Sequence, residues 1–222
     1  ACNAVAKIAV HSIEQAVISR GSAAILLSGG STPGPVYTLL SQKPLVWDKT
    51  VIGLVDDRWV PETDDGSNSA MIRRTLLQGP AAKAGFIPMY SGHKTAKDGI
   101  SIVSQQMDLL TQKTDLCLLG MGLDGHTASW FPGSKGLESA LDITSPDILA
   151  AIDATGCAGA GSYPERMTLR LPAIMGALKL VLFITGEEKR RVWEESEKKS
   201  VFEAPVGALR AAGKRLTIIW AP

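Results

Sequence analysis

The sequence predicts an open, doubly wound α/β fold, in which a mainly parallel sheet carries helices on both of its faces. Two observations predict this class. Short apolar runs without polar alternation, such as residues 23–30 and 115–122, are typical of strands buried on both faces of a parallel sheet. These runs alternate along the chain with segments whose apolar residues recur at helical spacing, such as residues 67–77, as in the successive strand and helix units of α/β proteins.

The individual elements support this class in chain order. Apolar residues from Val5 to Val17 recur at helical spacing and predict a first helix. The pattern then predicts a strand at 23–30, a helix at 34–42, a strand at 50–57, helices at 67–77 and around 100–110, strands at 115–122 and 178–186, a charged helix at 187–199, an apolar segment at 205–213 and a last strand at 215–220. Residues 147–171 break the alternation, because two β-like runs flank a glycine-rich stretch, and we interpret them as a candidate antiparallel hairpin.

Length and composition indicate one globular domain over 1–222. Of the 222 residues, 45% are hydrophobic and 20% are charged. The formal net charge of +1 gives no indication of a nucleic-acid or membrane partner, and we expect neither. No apolar run approaches the ~18 residues of a transmembrane helix, and the amphipathic N-terminal segment does not have the pattern of a signal peptide.

The cysteines point to a reducing compartment. Cys2, Cys117 and Cys157 are odd in number and contain no C-x-x-C pair, which argues against a disulfide framework and against a structural zinc site. Cys117 lies inside an apolar run and is predicted to be a small core residue. We therefore expect a cytoplasmic protein.

Polar, glycine-rich sequence follows four of the predicted strands. The four segments are Ser28–Thr32, Asp56–Arg58, Gly122–His126 and the pair Gly186 and Lys189. In open α/β sheets, ligands bind at the carboxyl ends of the strands. The sequence therefore predicts a binding site where these four segments meet.

The first segment has the features of a phosphate loop. It consists of Ser28, Gly29, Gly30, Ser31 and Thr32. Glycines let the backbone approach a ligand, Ser31 or Thr32 is expected to cap the next helix, and amides at a helix N-terminus bind phosphate. The alternative is a glycine-rich turn with a good helix cap. The segment is neither a Walker loop nor G-x-G-x-x-G, so a nucleotide is not the first expectation.

Each remaining candidate has a functional and a structural interpretation. Arg58 is suited to bidentate binding of a phosphate or carboxylate, whereas a solvated charged loop is the alternative. Asp56 is a candidate base, or a group that orients a sugar hydroxyl. Lys189 lies in the first turn of a helix, where a cation opposes the helix dipole and a bound anion would compensate.

His126 is the candidate catalytic base, because it lies in a glycine-rich loop at the end of a buried strand. A structural histidine beside the Asp124-Gly125 turn is the alternative. No other histidine or cysteine lies at ligand spacing, so we expect no metal, and no G-x-S-x-G elbow indicates a serine hydrolase.

Five segments of the chain resemble motifs of a known family and occur in the same order as in that family. They are "LSGGSTPGPVYTLL", "DDRWVPETDDGSNSAMIRRTLL", "LLGMGLDGHTASWFPGS", "ERMTLRLP" and "ITGEEK". Together they resemble the 6-phosphogluconolactonases, within the wider group that includes the glucosamine-6-phosphate isomerases and deaminases. The resemblance runs from about residue 20 to the C-terminus.

The resemblance implies hydrolysis of 6-phospho-D-glucono-1,5-lactone to 6-phosphogluconate in the pentose phosphate or a related glucose pathway. The implied partner is this small phosphorylated lactone, with no cofactor, for a monomer or small homo-oligomer. Matched by motif, Ser28–Thr32 would hold the substrate, Arg58 and Lys189 would hold its anionic groups, and His126 would be the general base. Arg166 is a further phosphate candidate.

Two positions bear on the choice within the group. The isomerases have a glutamate five residues after this histidine, whereas Phe131 stands here, as an apolar residue does in the lactonases. Asp56 matches the aspartate with which the isomerases shuttle protons, and Asp57 replaces the usual glutamate. The alternatives are an aminosugar-phosphate isomerase and a non-catalytic sugar-phosphate sensor, and the presence of both His126 and Asp56 counts against the sensor.

Overall fold

The structure is a computed structural model that describes the backbone of residues 1–222 and every side chain except that of residue 109. The strands, in chain order, are β1 (Ala23–Leu27), β2 (Thr50–Leu54), β3 (Asp56–Arg58), β4 (Gly85–Ile87), β5 (Leu116–Leu119), β6 (Leu149–Asp153), β7 (Glu165–Leu169), β8 (Lys179–Thr185) and β9 (Leu216–Ala221). The α-helices are α1 (Cys2–Arg20), α2 (Gly34–Ser41), α3 (Asn68–Thr75), α4 (Ala96–Thr111), α5 (Leu137–Leu141), α6 (Leu171–Met175) and α7 (Glu187–Glu195).

Six strands form one sheet in the order β4-β2-β1-β5-β8-β9, and every neighbouring pair is parallel. Its central strands are almost wholly buried, which explains their continuous apolar sequence. Helix α1 packs on β1, β5 and β8, and α4 packs on β1 and β2. The predicted fold class, a mainly parallel sheet covered by helices, is confirmed.

The strand order of the main sheet reverses between β1 and β5. After β1 it adds β2 and β4 on one side, and β5 then pairs with β1 on the other side. The loops that leave β1 and β5 therefore diverge and leave a crevice at the carboxyl ends of the strands. This crevice is where the predicted site residues lie.

A second sheet has three antiparallel strands in the order β3-β7-β6. The predicted hairpin in 147–171 is confirmed, because β6 and β7 pair from Leu149↔Leu169 to Asp153↔Glu165. Its third strand, β3, was not predicted. The register of β3 on β7 places Arg58 opposite Arg166.

The prediction of one strand at 50–57 is wrong, because the chain changes sheets at Val55. The Val55 amide donates to Leu27 O in the main sheet, whereas the Val55 carbonyl accepts from the Leu169 amide in the small sheet. Residues 56–58 then follow the small sheet as β3. Residues 50–54 and residues 56–58 are both mostly buried. Hydrophobic periodicity alone therefore does not reveal that the chain pairs with a different sheet after Val55.

Two predicted helix boundaries also differ from the structure. Neither Ser31 nor Thr32 caps α2, because Pro33 is the N-cap and there is no side-chain capping hydrogen bond in this described part of the chain. The charged helix predicted for 187–199 ends at Glu195 and continues as a 3-10 turn over Ser196–Lys198. Among the helices of the described chain, none is both long and apolar enough to cross a membrane.

Candidate active site

A cavity of about 430 Å³ lies at the carboxyl ends of β1 and β5. All of the predicted site residues line it: Ser28, Gly29, Gly30, Ser31, Thr32, Asp56, Arg58, His126, Arg166 and Lys189. They come from five separate parts of the chain. The cavity therefore brings together one imidazole, one carboxylate, three cationic side chains and a glycine-rich loop.

Two hydrogen bonds to the Ser28 backbone fix the start of the loop that follows β1. The Tyr37 hydroxyl donates to Ser28 O at 2.6 Å, and the Ser28 amide donates to Leu118 O at 3.0 Å. The Ser28 hydroxyl is buried and has no hydrogen-bond partner among the described residues. A buried hydroxyl without a partner is costly, so it is available to a ligand.

The glycines of this loop are required for two different reasons. Gly30 has a φ of 105°, a conformation that other residues rarely adopt. At Gly29, a Cβ atom would collide with the side chain of Asn68. Asn68 also donates from Nδ2 to the Asp56 carbonyl at 2.9 Å and lines the cavity. In the sequence, Asn68 resembles an ordinary helix N-cap, but Ser67 is the N-cap, its hydroxyl accepts from the Ala70 amide at 3.1 Å, and Asn68 is the first residue of α3.

Asp57 is an anchor for α3 and does not line the cavity. Its carboxylate accepts from the backbone amides of Arg58, Asn68 and Ser69 and from the Ser69 hydroxyl, at 2.7–3.0 Å. Burial raises the pKa of Asp57 to about 6, against these hydrogen bonds, which favour the ionised form. Asp57 thus joins β3 to the start of α3.

Asp56 is buried and held by two side chains. The Ser129 hydroxyl donates to Asp56 Oδ2 at 2.6 Å, and Arg166 Nη1 lies 4.0 Å from the same oxygen. Ser129 follows Ala128, whose φ of 49° is unfavourable for a residue with a Cβ atom. This turn connects the His126 loop to Asp56.

The two arginines of the cavity are fixed by carbonyl groups. Arg166 donates from Nε to Tyr163 O at 2.5 Å and from Nη2 to Ala160 O at 2.8 Å. Burial lowers the pKa of Arg166 to about 10, so it stays charged at neutral pH. Arg58 donates from Nη1 to Gly66 O and lies 5.9 Å from the ring centroid of Tyr163. Arg166 is paired with Asp56 at 4.0 Å, whereas Arg58 makes no ion pair among the described residues.

Lys189 is the third cation. It lies in the first turn of α7 after Gly186, whose φ is 86°. The side chain is half-buried, and this burial lowers the pKa of its ammonium group. It makes no hydrogen bond or ion pair with the described side chains. A half-buried ammonium without a partner fits an anion-binding position.

His126 is fixed by its own loop. Gly122 donates to the His126 carbonyl at 2.9 Å, and Gly125 turns the chain with a φ of 81°. The His126 Nδ1 atom lies 2.5 Å from Asp124 Oδ1, and the phenyl ring of Phe131 lies 4.4 Å from the imidazole between centroids. Burial raises the pKa of Asp124, but the hydrogen bond and charge of His126 outweigh it, so the net shift is downward.

Because a carboxylate only accepts hydrogen bonds, Nδ1 carries the proton in the neutral imidazole and Nε2 carries the lone pair. Nε2 has no partner among the described residues, and the side chain is 20% exposed at the edge of the cavity. The arrangement suits a general base. No group of three or more His, Cys, Asp or Glu in the described residues could hold a metal ion.

Comparison with known proteins identifies the family to which the chain belongs. Residues 1–220 match the sequence profile of the family described as glucosamine-6-phosphate isomerases/6-phosphogluconolactonase. The chain belongs to this family. A 6-phosphogluconolactonase from Rhizobium meliloti (strain 1021) is 40% identical over 209 residues, which cover 93% of this chain and 88% of that protein.

Two further relatives are named for the same activity. A 6-phosphogluconolactonase from Xylella fastidiosa (strain Temecula1) is 39% identical over 93% of this chain and 85% of its own. The crystal structure of a 6-phosphogluconolactonase from Shewanella baltica OS155 matches all of this chain and 93% of its own, with a TM-score of 0.93 and 33% identity. The predicted family and the predicted enzyme class, 6-phosphogluconolactonase, are confirmed.

Proposed function

We propose that the protein hydrolyses 6-phospho-D-glucono-1,5-lactone to 6-phosphogluconate in the pentose phosphate pathway, with His126 as the general base and without a metal. The observation that carries the proposal is the pair of His126 and Asp124 at the edge of a cavity that also holds three cationic side chains. The names of the family members at 39–40% identity support the substrate.

In this mechanism, Nε2 of His126 removes a proton from a water molecule, and the resulting hydroxide attacks the lactone carbonyl carbon. The tetrahedral intermediate then expels the ring oxygen, which takes a proton from the imidazolium, so the products are a carboxylic acid and a free hydroxyl. Asp124 holds the imidazole with Nε2 free and stabilises the imidazolium that forms. General-base catalysis contributes about 10²–10⁴-fold.

The cationic side chains supply orientation and charge. The substrate carries a phosphate, and its carbonyl oxygen becomes negative in the transition state. Arg58, Arg166 and Lys189 line the same cavity and carry the positive charge that these two negative centres need. The unpartnered hydroxyl of Ser28 adds a neutral donor in the same cavity. Holding the phosphate fixes the carbonyl carbon near the base, which favours attack.

The isomerase alternative is disfavoured at Phe131. The resemblance implies that isomerases use a glutamate here for ring opening, whereas Phe131 is buried and packs on the imidazole at 4.4 Å. A phenyl ring cannot transfer a proton. The cavity therefore keeps the base and the anion-binding groups, but it has Phe131 where the isomerases have the glutamate for ring opening.

The deciding experiment adds freshly prepared lactone to the protein and follows acid release against the spontaneous rate. We expect a large acceleration that the His126→Asn variant loses. Conversion of glucosamine 6-phosphate by the same preparation, without lactone hydrolysis, would support the isomerase instead. Binding of 6-phosphogluconate without acceleration of either reaction would support a sensor.

We also propose that residues 1–222 act as one domain, as a monomer or small homo-oligomer. The family match over 1–220 and a single hydrophobic core that extends from α1 to the small sheet support this organisation. Cooperative unfolding in one transition and a sedimentation equilibrium measurement test it.

A further inference from the structure

The connection between β6 and β7 passes over the candidate base. We call residues 154–164 the strap. Its two ends are joined by a hydrogen bond from the Ala154 amide to the Pro164 carbonyl at 2.9 Å. Its middle is a 3-10 turn over Ala158–Ala160, and Gly159 in this turn lines the cavity.

Gly159 lies against both members of the His126 and Asp124 pair. A Cβ atom on Gly159 would lie 2.6 Å from Asp124 Oδ2 and 2.7 Å from His126 Nδ1, closer than any van der Waals contact. Its φ is not in the left-handed region, so the backbone conformation does not call for glycine. Glycine is required here for space alone.

Two further walls enclose the imidazole. At Gly122, a Cβ atom would collide with the His126 ring, and Phe131 packs on the ring at 4.4 Å between centroids. The imidazole therefore occupies a slot between two bare backbone segments and a phenyl ring. A slot of this kind restricts side-chain rotation and keeps Nδ1 directed at Asp124.

The strap is fixed to the rest of the site by two residues. Arg166 donates to the carbonyls of Tyr163 and Ala160. The Tyr163 hydroxyl donates to Asp64 Oδ1 at 2.8 Å, and the Tyr163 ring covers the backbone of Gly66 so closely that a Cβ atom there would collide with it. With the strap held at both points, a methyl group at position 159 displaces the ends of the two facing side chains rather than the strap.

We propose that Gly159 is a positioning residue for the hydrolysis, because its bare backbone forms the wall that holds the His126 imidazole on Asp124. The inference rests on the proposed role of His126 as the base. Gly159 itself transfers no proton. Adding a side chain there is expected to rotate the imidazole away from Asp124 and so to lose the tautomer with Nε2 free.

The test compares Gly159→Ala with Ala158→Ser, which adds one heavy atom at the exposed neighbouring residue of the same turn. We expect Gly159→Ala to lower kcat by about 10–100-fold, as for a misplaced catalytic group. The Kd of 6-phosphogluconate should change less than about threefold, because the cationic side chains are untouched. Ala158→Ser should retain wild-type kcat.

Nitrogen-15 NMR of the histidine side chains supplies a readout that stability does not move. In the wild type we expect a protonated Nδ1 in His126, and in Gly159→Ala a mixture of tautomers. A second variant, Tyr163→Phe, removes the bond to Asp64 without adding atoms near His126 and should shift kcat and the tautomer signal in the same direction, by less.

The outcomes separate this inference from the proposed function. Wild-type kcat and an unchanged Nδ1 signal in Gly159→Ala would overturn the positioning role, even where His126→Asn is inactive. Equal losses in Gly159→Ala and Ala158→Ser would overturn it too, because the strap would then be sensitive at every position. Full activity of His126→Asn would overturn the proposed base, while the tautomer signal would still report whether Gly159 holds the ring.

Discussion

Asp124 Oδ1 lies 2.5 Å from Nδ1 of His126 and also accepts the backbone amide of His126 at 3.2 Å. One carboxylate oxygen therefore fixes both the loop and the orientation of the imidazole.

Replacing His126 by Asn keeps a polar side chain of similar size and removes the titratable nitrogen. We expect kcat to fall by about 10²-fold or more, while the variant folds and binds 6-phosphogluconate. Steady-state kinetics and calorimetric titration measure the two effects. His11→Asn, at an exposed position on α1, is the control and should be fully active. Near-wild-type turnover in His126→Asn would make the histidine structural and Asp56 the next candidate base.

Replacing Asp124 by Asn should change both activity and the pH dependence of stability. The folded-state pKa of Asp124 is lowered, so its carboxylate stabilises the fold above the unfolded-state value of 3.8. That contribution is lost as the pH falls through the lower folded-state pKa. Urea unfolding between pH 3 and 7 should therefore show a higher free energy of unfolding for the wild type than for Asp124→Asn, and this difference should shrink only at acidic pH. A difference of equal size at every pH would contradict the pairing of Asp124 with His126.

Replacing Asp57 by Asn should destabilise the protein, because the Ser69 amide would lose its acceptor. We expect a loss of about 1–3 kcal/mol in the free energy of unfolding at neutral pH. Burial raises the pKa of Asp57 to about 6, so its ionisation in the folded protein opposes stability as the pH rises from about 4 to about 6. The wild-type advantage over the variant should be larger at pH 4 than at pH 7. An unchanged unfolding midpoint would show that Asp57 does not anchor α3.

Replacing Lys189 by Met should weaken recognition of the phosphorylated lactone. Since Lys189 has no partner among the described side chains, we expect little change in stability and a fall of about tenfold to a hundredfold in kcat/KM. Lys179→Met is a matched control, because Lys179 is also half-buried but begins the strand β8, at the amino end of the strands and away from the cavity. Glucono-lactone without phosphate should be a poor substrate of every form. Similar kcat/KM values for the two lactones in the wild type would mean that the cations serve another purpose.

Dialysis against a chelator should leave lactone hydrolysis unchanged, because the proposed mechanism activates water with an imidazole. Acid release before and after dialysis measures this directly. Recovery of a lost activity on addition of zinc or magnesium would overturn the mechanism.

The location of the site could be predicted from the sequence because parallel strands end at a common edge. Ser28, Asp56, His126 and Lys189 each follow a buried apolar run, and in such a sheet these positions converge. That four such segments share one cavity needed no knowledge of strand order.

Other parts of the site depend on tertiary partners that have no local signal. The change of sheet at Val55 depends on Leu27 and Leu169, which lie far away in the sequence. Gly159 looks like any glycine of a flexible connection, and its importance follows only from the distance to Asp124 and His126. Asp57 resembles its neighbour Asp56 in sequence, yet one points into the cavity and the other into the start of a helix, because successive residues of a strand face opposite sides.

The pairing of β3 with β7 sets Arg58 directly opposite Arg166, on the face that lines the cavity. Two like charges at a cross-strand position repel by roughly 0.2–1 kcal/mol, and Arg58 accordingly contributes to lowering the pKa of Arg166. A dianion bound between the two guanidinium groups would attract both and so offset their repulsion, which would make the ligand-free protein the less stable form. Occupancy and resistance to heat are thereby linked: substrate, product or plain inorganic phosphate should each delay thermal inactivation in proportion to the logarithm of its concentration above Kd.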